Sequence, residues 1–172
     1  MKLKEILTIV LIIVLAGICF VINTNSNQVT ITGKITNPKG ELVAFNQKDT
    51  SYTATINGKG YFTISFKLDS ATYLDFEHGI ETTAMFVRPG DKINLTIDTE
   101  LFDETIQYEG SMESSFLVKK YLIIEENDFF GEIFYLSTAE KYEKVLGDFK
   151  TTVITEFGDI GDSLFIKNEI IE

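Results

Sequence analysis

The side chains able to do acid–base or metal chemistry are few in this chain of 172 residues. His78 is the only histidine, and Asp75, Glu77 and Glu81 are close to it in sequence. Carboxylates around an imidazole suit a metal ion or a proton-transfer pair, but only when they share one side of the backbone. A strand alternates its faces, so Asp75 and Glu77 would point one way and His78 the other. No metal site is expected there.

Asp98, Glu100, Asp103 and Glu104 form a second acidic group, read as a solvated loop because they lack the ligand spacing of a calcium-binding helix–loop–helix. Two pairs, Asp75 with Glu81 and Asp98 with Asp103, are the ones a hydrolase or carbohydrate-active domain would use. Such pairs stand about 5 to 10 Å apart in a cleft. The serines lack a GxSxG setting, and neither GxGxxG nor GxxxxGK[ST] occurs. No catalytic, cofactor-binding or metal residue is therefore nominated, and no cofactor is expected. Asn94-Leu95-Thr96 matches a glycosylation sequon, relevant only in a eukaryotic secretory pathway.

The sole cysteine, Cys19, excludes an internal disulfide and a CxxC redox pair. It lies in a leader, Met1 to Ile22, where Lys2 and Lys4 precede an uncharged apolar run from Ile6 to Ile22. As a helix that run is roughly 25 Å long, near the lower limit for crossing a bilayer core of about 30 Å. A soluble helix would carry a polar stripe, and this one has none. The leader is expected to target a membrane as a signal peptide or signal anchor, retained rather than cleaved because no small-x-small site is evident. Lys2 and Lys4 stay cytoplasmic and the rest goes out, to the cell envelope. Leu15-Ala16-Gly17-Ile18-Cys19 is similar to a lipoprotein signal, from which Ile18 departs. Cys19 is read as a small apolar residue of the anchor, with acylation as the alternative.

Residues 23–28 are a polar spacer, and about 150 residues then remain, the size of one domain. The formal charge of −11 with Arg88 as the only arginine leaves no basic stripe, so nucleic acid is not an expected partner. From Val29 the apolar period is two, as in Val29-Thr30-Ile31-Thr32-Gly33-Lys34-Ile35. Further short strands are expected at Leu42–Asn46, Tyr52–Ile56, Tyr61–Leu68, Tyr73–Glu77, Thr82–Val87, Lys92–Asp98 and Thr105–Tyr108. Turn residues separate them, and Asn57-Gly58-Lys59-Gly60 is expected to close a hairpin. Strands at this spacing predict a mainly β domain over 29–110, an antiparallel β-sandwich or barrel.

After Gly110 the period changes. Ser111 is placed to cap a helix carrying Leu117, Tyr121 and Ile124, and Ser137-Thr138-Ala139-Glu140 fits a capping box. The helix that follows carries an apolar stripe of Tyr142, Val145, Leu146, Phe149, Val153 and Phe157, read as a packing face, with Gly158 as its stop. Asp162 or Ser163 starts one more short helix through Phe165 and Ile170. Residues 111–172 are thus a helical extension.

Ile31-Thr32-Gly33-Lys34-Ile35, Gly60-Tyr61-Phe62, the run Arg88 to Thr96, and Phe102 to Gly110 occur in an order that resembles the N-terminal β-rich domain of TlpA-like thiol-disulfide oxidoreductases from Bacteroidota-type envelopes. The resemblance covers about Val29 to Tyr121. It implies an accessory domain after a leader, followed by a helical linker and a thioredoxin domain bearing CxxC. The sequence in hand stops at Glu172 without that motif, so no family catalytic residue carries over. The expectation is either an accessory domain acting alone or the front half of an interrupted protein. The partner implied is an envelope protein, with a thioredoxin-like protein as the class the resemblance points to.

Overall fold

The computed structural model describes residues 27–126 and 138–157, with the separate positions 131, 135, 165, 168 and 169. The leader, Cys19, the stop at Gly158 and most of the last short helix lie outside the described residues.

Among the described residues eight strands form two four-stranded sheets. They are β1 (Gln28–Thr36), β2 (Leu42–Gln47), β3 (Thr50–Thr55), β4 (Tyr61–Lys67), β5 (Thr72–His78), β6 (Glu81–Val87), β7 (Lys92–Asp98) and β8 (Gln107–Glu109). One sheet runs β4-β1-β7-β8 and the other β3-β2-β5-β6, an open sandwich rather than a closed barrel. The apolar residues of the sequence pattern are the buried ones: Val29, Ile31 and Ile35 on β1, and Ile93, Leu95 and Ile97 on β7. They meet Val43, Phe45, Leu74, Phe76 and Met85 from the opposite sheet. Phe45 centres the core, with ring centroids 5.3 Å from Phe76 and 6.1 Å from Phe62. Each fully buried side chain of this size stabilises the fold by roughly 1.5–3 kcal/mol.

Three expectations need correction. The ladders are antiparallel except β1–β7, which is parallel from Thr30↔Lys92 to Thr36↔Asp98. The chain visits the second sheet between these strands, which supplies the long crossover that parallel pairing requires. Secondly, β3 and β4 are not a hairpin: β3 pairs with β2 and β4 with β1. The turn is nonetheless tight. Asn57 Oδ1 accepts from Lys59 N at 2.9 Å and Tyr61 N at 3.1 Å. The flanks, however, are held by different sheets, with Ile56 N donating to Glu41 O and Ile35 N to Gly60 O, both at 2.8 Å. Gly60 has φ +86, and a Cβ there would meet Ile35 O at 2.3 Å. Inward residues of the two strands then face each other across the sandwich, where Tyr52 stacks on Phe66 at 4.0 Å.

Thirdly, Thr105 ends a helical turn, α1 (Phe102–Thr105), instead of starting a strand. Its hydroxyl accepts from Asp98 N at 2.9 Å and donates to Leu101 O at 2.6 Å, which fastens the turn to the end of β7. Two longer helices follow, α2 (Met112–Glu126) and α3 (Ala139–Phe157). Ser111 caps α2 as expected, accepting from Ser114 N at 3.1 Å. In the apolar stripe of α3, Val153 is buried and Phe149 partly so, whereas Tyr142 remains exposed. Among the described residues no helix is long and apolar enough to cross a membrane.

Candidate functional site: the groove between β6 and α2

The histidine is structural. His78 is 2% exposed on the core side of β5. Its Nδ1 donates to Leu42 O at 2.9 Å, while Nε2 accepts from Lys39 N at 2.9 Å. Those partners fix the tautomer and occupy both ring nitrogens. Asp75 and Glu77 are exposed on the opposite face, as strand alternation requires. Register pairs Asp75 with Ala84 and Glu81 with His78, so the carboxylates that a hydrolase would pair here, Asp75 and Glu81, are divided between two faces. Asp98 accepts from Asn37 Nδ2 at 2.8 Å and Glu100 N at 3.1 Å; the Asn37 bond comes first in holding its carboxyl below the usual range. Asp103 sits among other carboxylates, those of Glu125, Glu81 and Glu104. Among the described residues no three His, Cys, Asp or Glu side chains are grouped to hold a metal ion. Asn94 of the sequon lies within β7, where it accepts from the Thr32 hydroxyl at 3.2 Å.

What the structure builds instead is a groove between β6 and α2. Its foundation is a sealed sheet edge. As the last strand of its sheet, β6 would present unpaired backbone groups at Phe86. Ser114 Oγ accepts from Phe86 N at 3.0 Å and also lies 3.0 Å from Phe86 O, while the Ser111 hydroxyl donates to Phe86 O at 3.1 Å. Two serine hydroxyls thus stand in for a neighbouring strand. Arg88 and Glu113 add an ion pair of 2.6 Å beside this seal, and the guanidinium lies 5.1 Å from the Phe86 ring centroid. Behind it a second apolar cluster joins Phe86, Phe116, Leu117, Val153 and Phe165.

Tyr73, Ile80, Leu117, Tyr121 and Ile124 give the groove its apolar lining, beside Thr82, Thr83 and Ala84 of β6. Ile80 is 97% exposed in the β5–β6 turn. At one end Glu169 accepts from the Tyr73 hydroxyl at 2.6 Å and pairs with Lys120. At the other end the rim is acidic. Desolvation first, then repulsion from Glu125, Glu81 and Glu104, raises the Asp103 carboxyl above its ordinary value. The Tyr121 hydroxyl donates to Glu125 at 2.7 Å, and mainly through that bond its pKa is pushed up to about 12. Sequence reasoning missed this site. The serines at 111 and 114 and the lone Arg88 were its visible traces, but nothing in the chain order joins them to Phe86.

No protein-family model matches the chain, and no curated protein is significantly similar to it.

Proposed function

We propose that this chain is a non-catalytic, membrane-tethered binding or scaffold domain of the cell envelope. In this reading its β-sandwich is held outside the cytoplasm by the apolar leader and presents a surface to another envelope protein. The reading rests on the resemblance to the TlpA-like N-terminal domain, which implies a β-rich body followed by a helical linker. A thioredoxin-like protein is the partner class the resemblance implies. The observation that carries the reading is the β6–α2 groove: a largely apolar lining left open, which includes an almost fully exposed isoleucine. Apolar surface of this kind with a charged rim is how interaction sites are built.

The test places a photo-reactive benzoylphenylalanine at Tyr121 in the full-length chain, in the cells that naturally make it. A discrete adduct is expected on illumination, absent when the probe replaces Thr36 on β1 and weakened by Ile80→Asp. A CxxC-bearing thioredoxin domain in the adduct would support the partner class. Absence of any adduct, or equal labelling from Thr36, contradicts a binding role for the groove.

A further inference from the structure

The two sheets end in four edge strands, and they are protected unequally. The β6 edge is sealed by the serines of α2, β8 is three residues long, and β4 ends on Lys67. The last edge, β3, is six residues reading Thr50-Ser51-Tyr52-Thr53-Ala54-Thr55, with no charge, no proline and an unbroken one-to-one register against β2. Threonine and tyrosine favour strands, and alternate residues of an edge strand direct their N–H and C=O groups outward. Among the described residues no backbone group pairs with that outer side. Natural sheets blunt such edges with charges, prolines or bulges, because an open edge is a template for another strand.

We propose that β3 is the site where a second copy of this chain adds its own β3, in antiparallel register about a two-fold axis at Thr53. The strand is self-complementary in that register and on both faces. Ser51 lies opposite Thr55 of the second copy and Thr53 opposite its equivalent, so the exposed outer face pairs hydroxyl with hydroxyl. On the core side the large Tyr52 lies opposite the small Ala54, and Tyr52 is already fixed by its stack on Phe66. Charge also selects this edge. Two chains of formal charge −11 can approach closely only where carboxylates do not oppose one another. Here the Lys48-Asp49 turn of one copy falls opposite the other's Asn57–Gly60 turn, which carries Lys59, so no two carboxylates face each other at either end. A six-residue strand pair is a small contact, so the dimer is weak and reversible.

The test uses the full chain in a mild detergent, with protein mass per particle followed by sedimentation from about 20 µM to about 1 mM, the range in which a small interface associates. The mass is expected to double across that range. Thr53→Lys puts two ammonium groups face to face on the axis and holds the mass at that of the monomer. Thr36→Lys adds the same charge on β1, away from the edge, and leaves the doubling intact. In a Cys19→Ser background, Thr53→Cys is expected to give a disulfide-linked dimer, whereas Thr36→Cys does not. The proposal is overturned if the unaltered chain stays monomeric at 1 mM, if Thr53→Lys associates as the parent does, or if both lysine variants lose association together. An anchor-driven dimer would show itself by surviving Thr53→Lys.

Discussion

The two edges of the β3-β2-β5-β6 sheet have been treated in opposite ways. At β6 the outward N–H and C=O of Phe86 are consumed by Ser111 and Ser114, and α2 is fixed over the strand. At β3 nothing comparable covers the backbone among the described residues. The difference shows that a helix can close a sheet with hydroxyls in place of strand hydrogen bonds, and that doing so creates a groove along the seam. The open edge offers backbone, whereas the sealed edge offers side chains. The proposed functions divide accordingly, with partner recognition at β6–α2 and self-association at β3.

The largest expected effect is on the corner that holds β3 in place. Gly60→Ala forces a Cβ to within 2.3 Å of Ile35 O at φ +86, so strain and backbone displacement together should cost about 3–5 kcal/mol. Urea denaturation would measure it. A loss below about 1 kcal/mol would mean the corner adapts freely and does not position the edge.

On the sealed side, Ser114→Ala leaves Phe86 N without its acceptor in a fully buried setting. An orphaned buried donor costs about 1–3 kcal/mol, again read from urea denaturation. An unchanged midpoint would indicate that α2 is held by apolar packing alone and that the serine seal contributes nothing.

A subtler comparison concerns Asp103 at the acidic end of the groove. Its folded pKa is raised, chiefly by desolvation and then by Glu125, Glu81 and Glu104. A raised carboxyl means that the folded state binds more protons than the unfolded one between the ordinary value and the folded value. Its contribution therefore stabilises the fold as pH falls through that window and is unfavourable above it. Glu125→Gln removes one repulsive neighbour, so the Asp103 titration followed by NMR should move down toward the ordinary range. Movement upward would contradict the proximity of the two carboxylates.

Much of the sandwich was legible because one face of each strand is buried, which writes a period of two into the residues. The helix cap at Ser111 was legible for the same local reason. The β3–β4 crossover was not, since Asn57-Gly58-Lys59-Gly60 has the same turn chemistry whether the chain doubles back in one sheet or passes between two. Thr105 was misread because its hydroxyl bonds to Asp98 and Leu101, and β-branched residues otherwise suggest a strand. The groove was invisible because it unites Tyr73, Ile80, Leu117, Tyr121 and Glu169, residues far apart in the sequence that only the tertiary fold brings together. His78 drew attention as the lone histidine, yet strand alternation already separated it from Asp75 and Glu77.

The contrast between the two edges is tested most directly by residue-resolved amide hydrogen exchange at about 20 µM protein, where a weak dimer is sparsely populated. The Phe86 amide should exchange only with global unfolding, while the outward-facing alternate amides of Thr50–Thr55 exchange at least about a hundredfold faster. Exchange at Phe86 as rapid as at those β3 amides would contradict the serine seal and, with it, the account of one closed and one open edge.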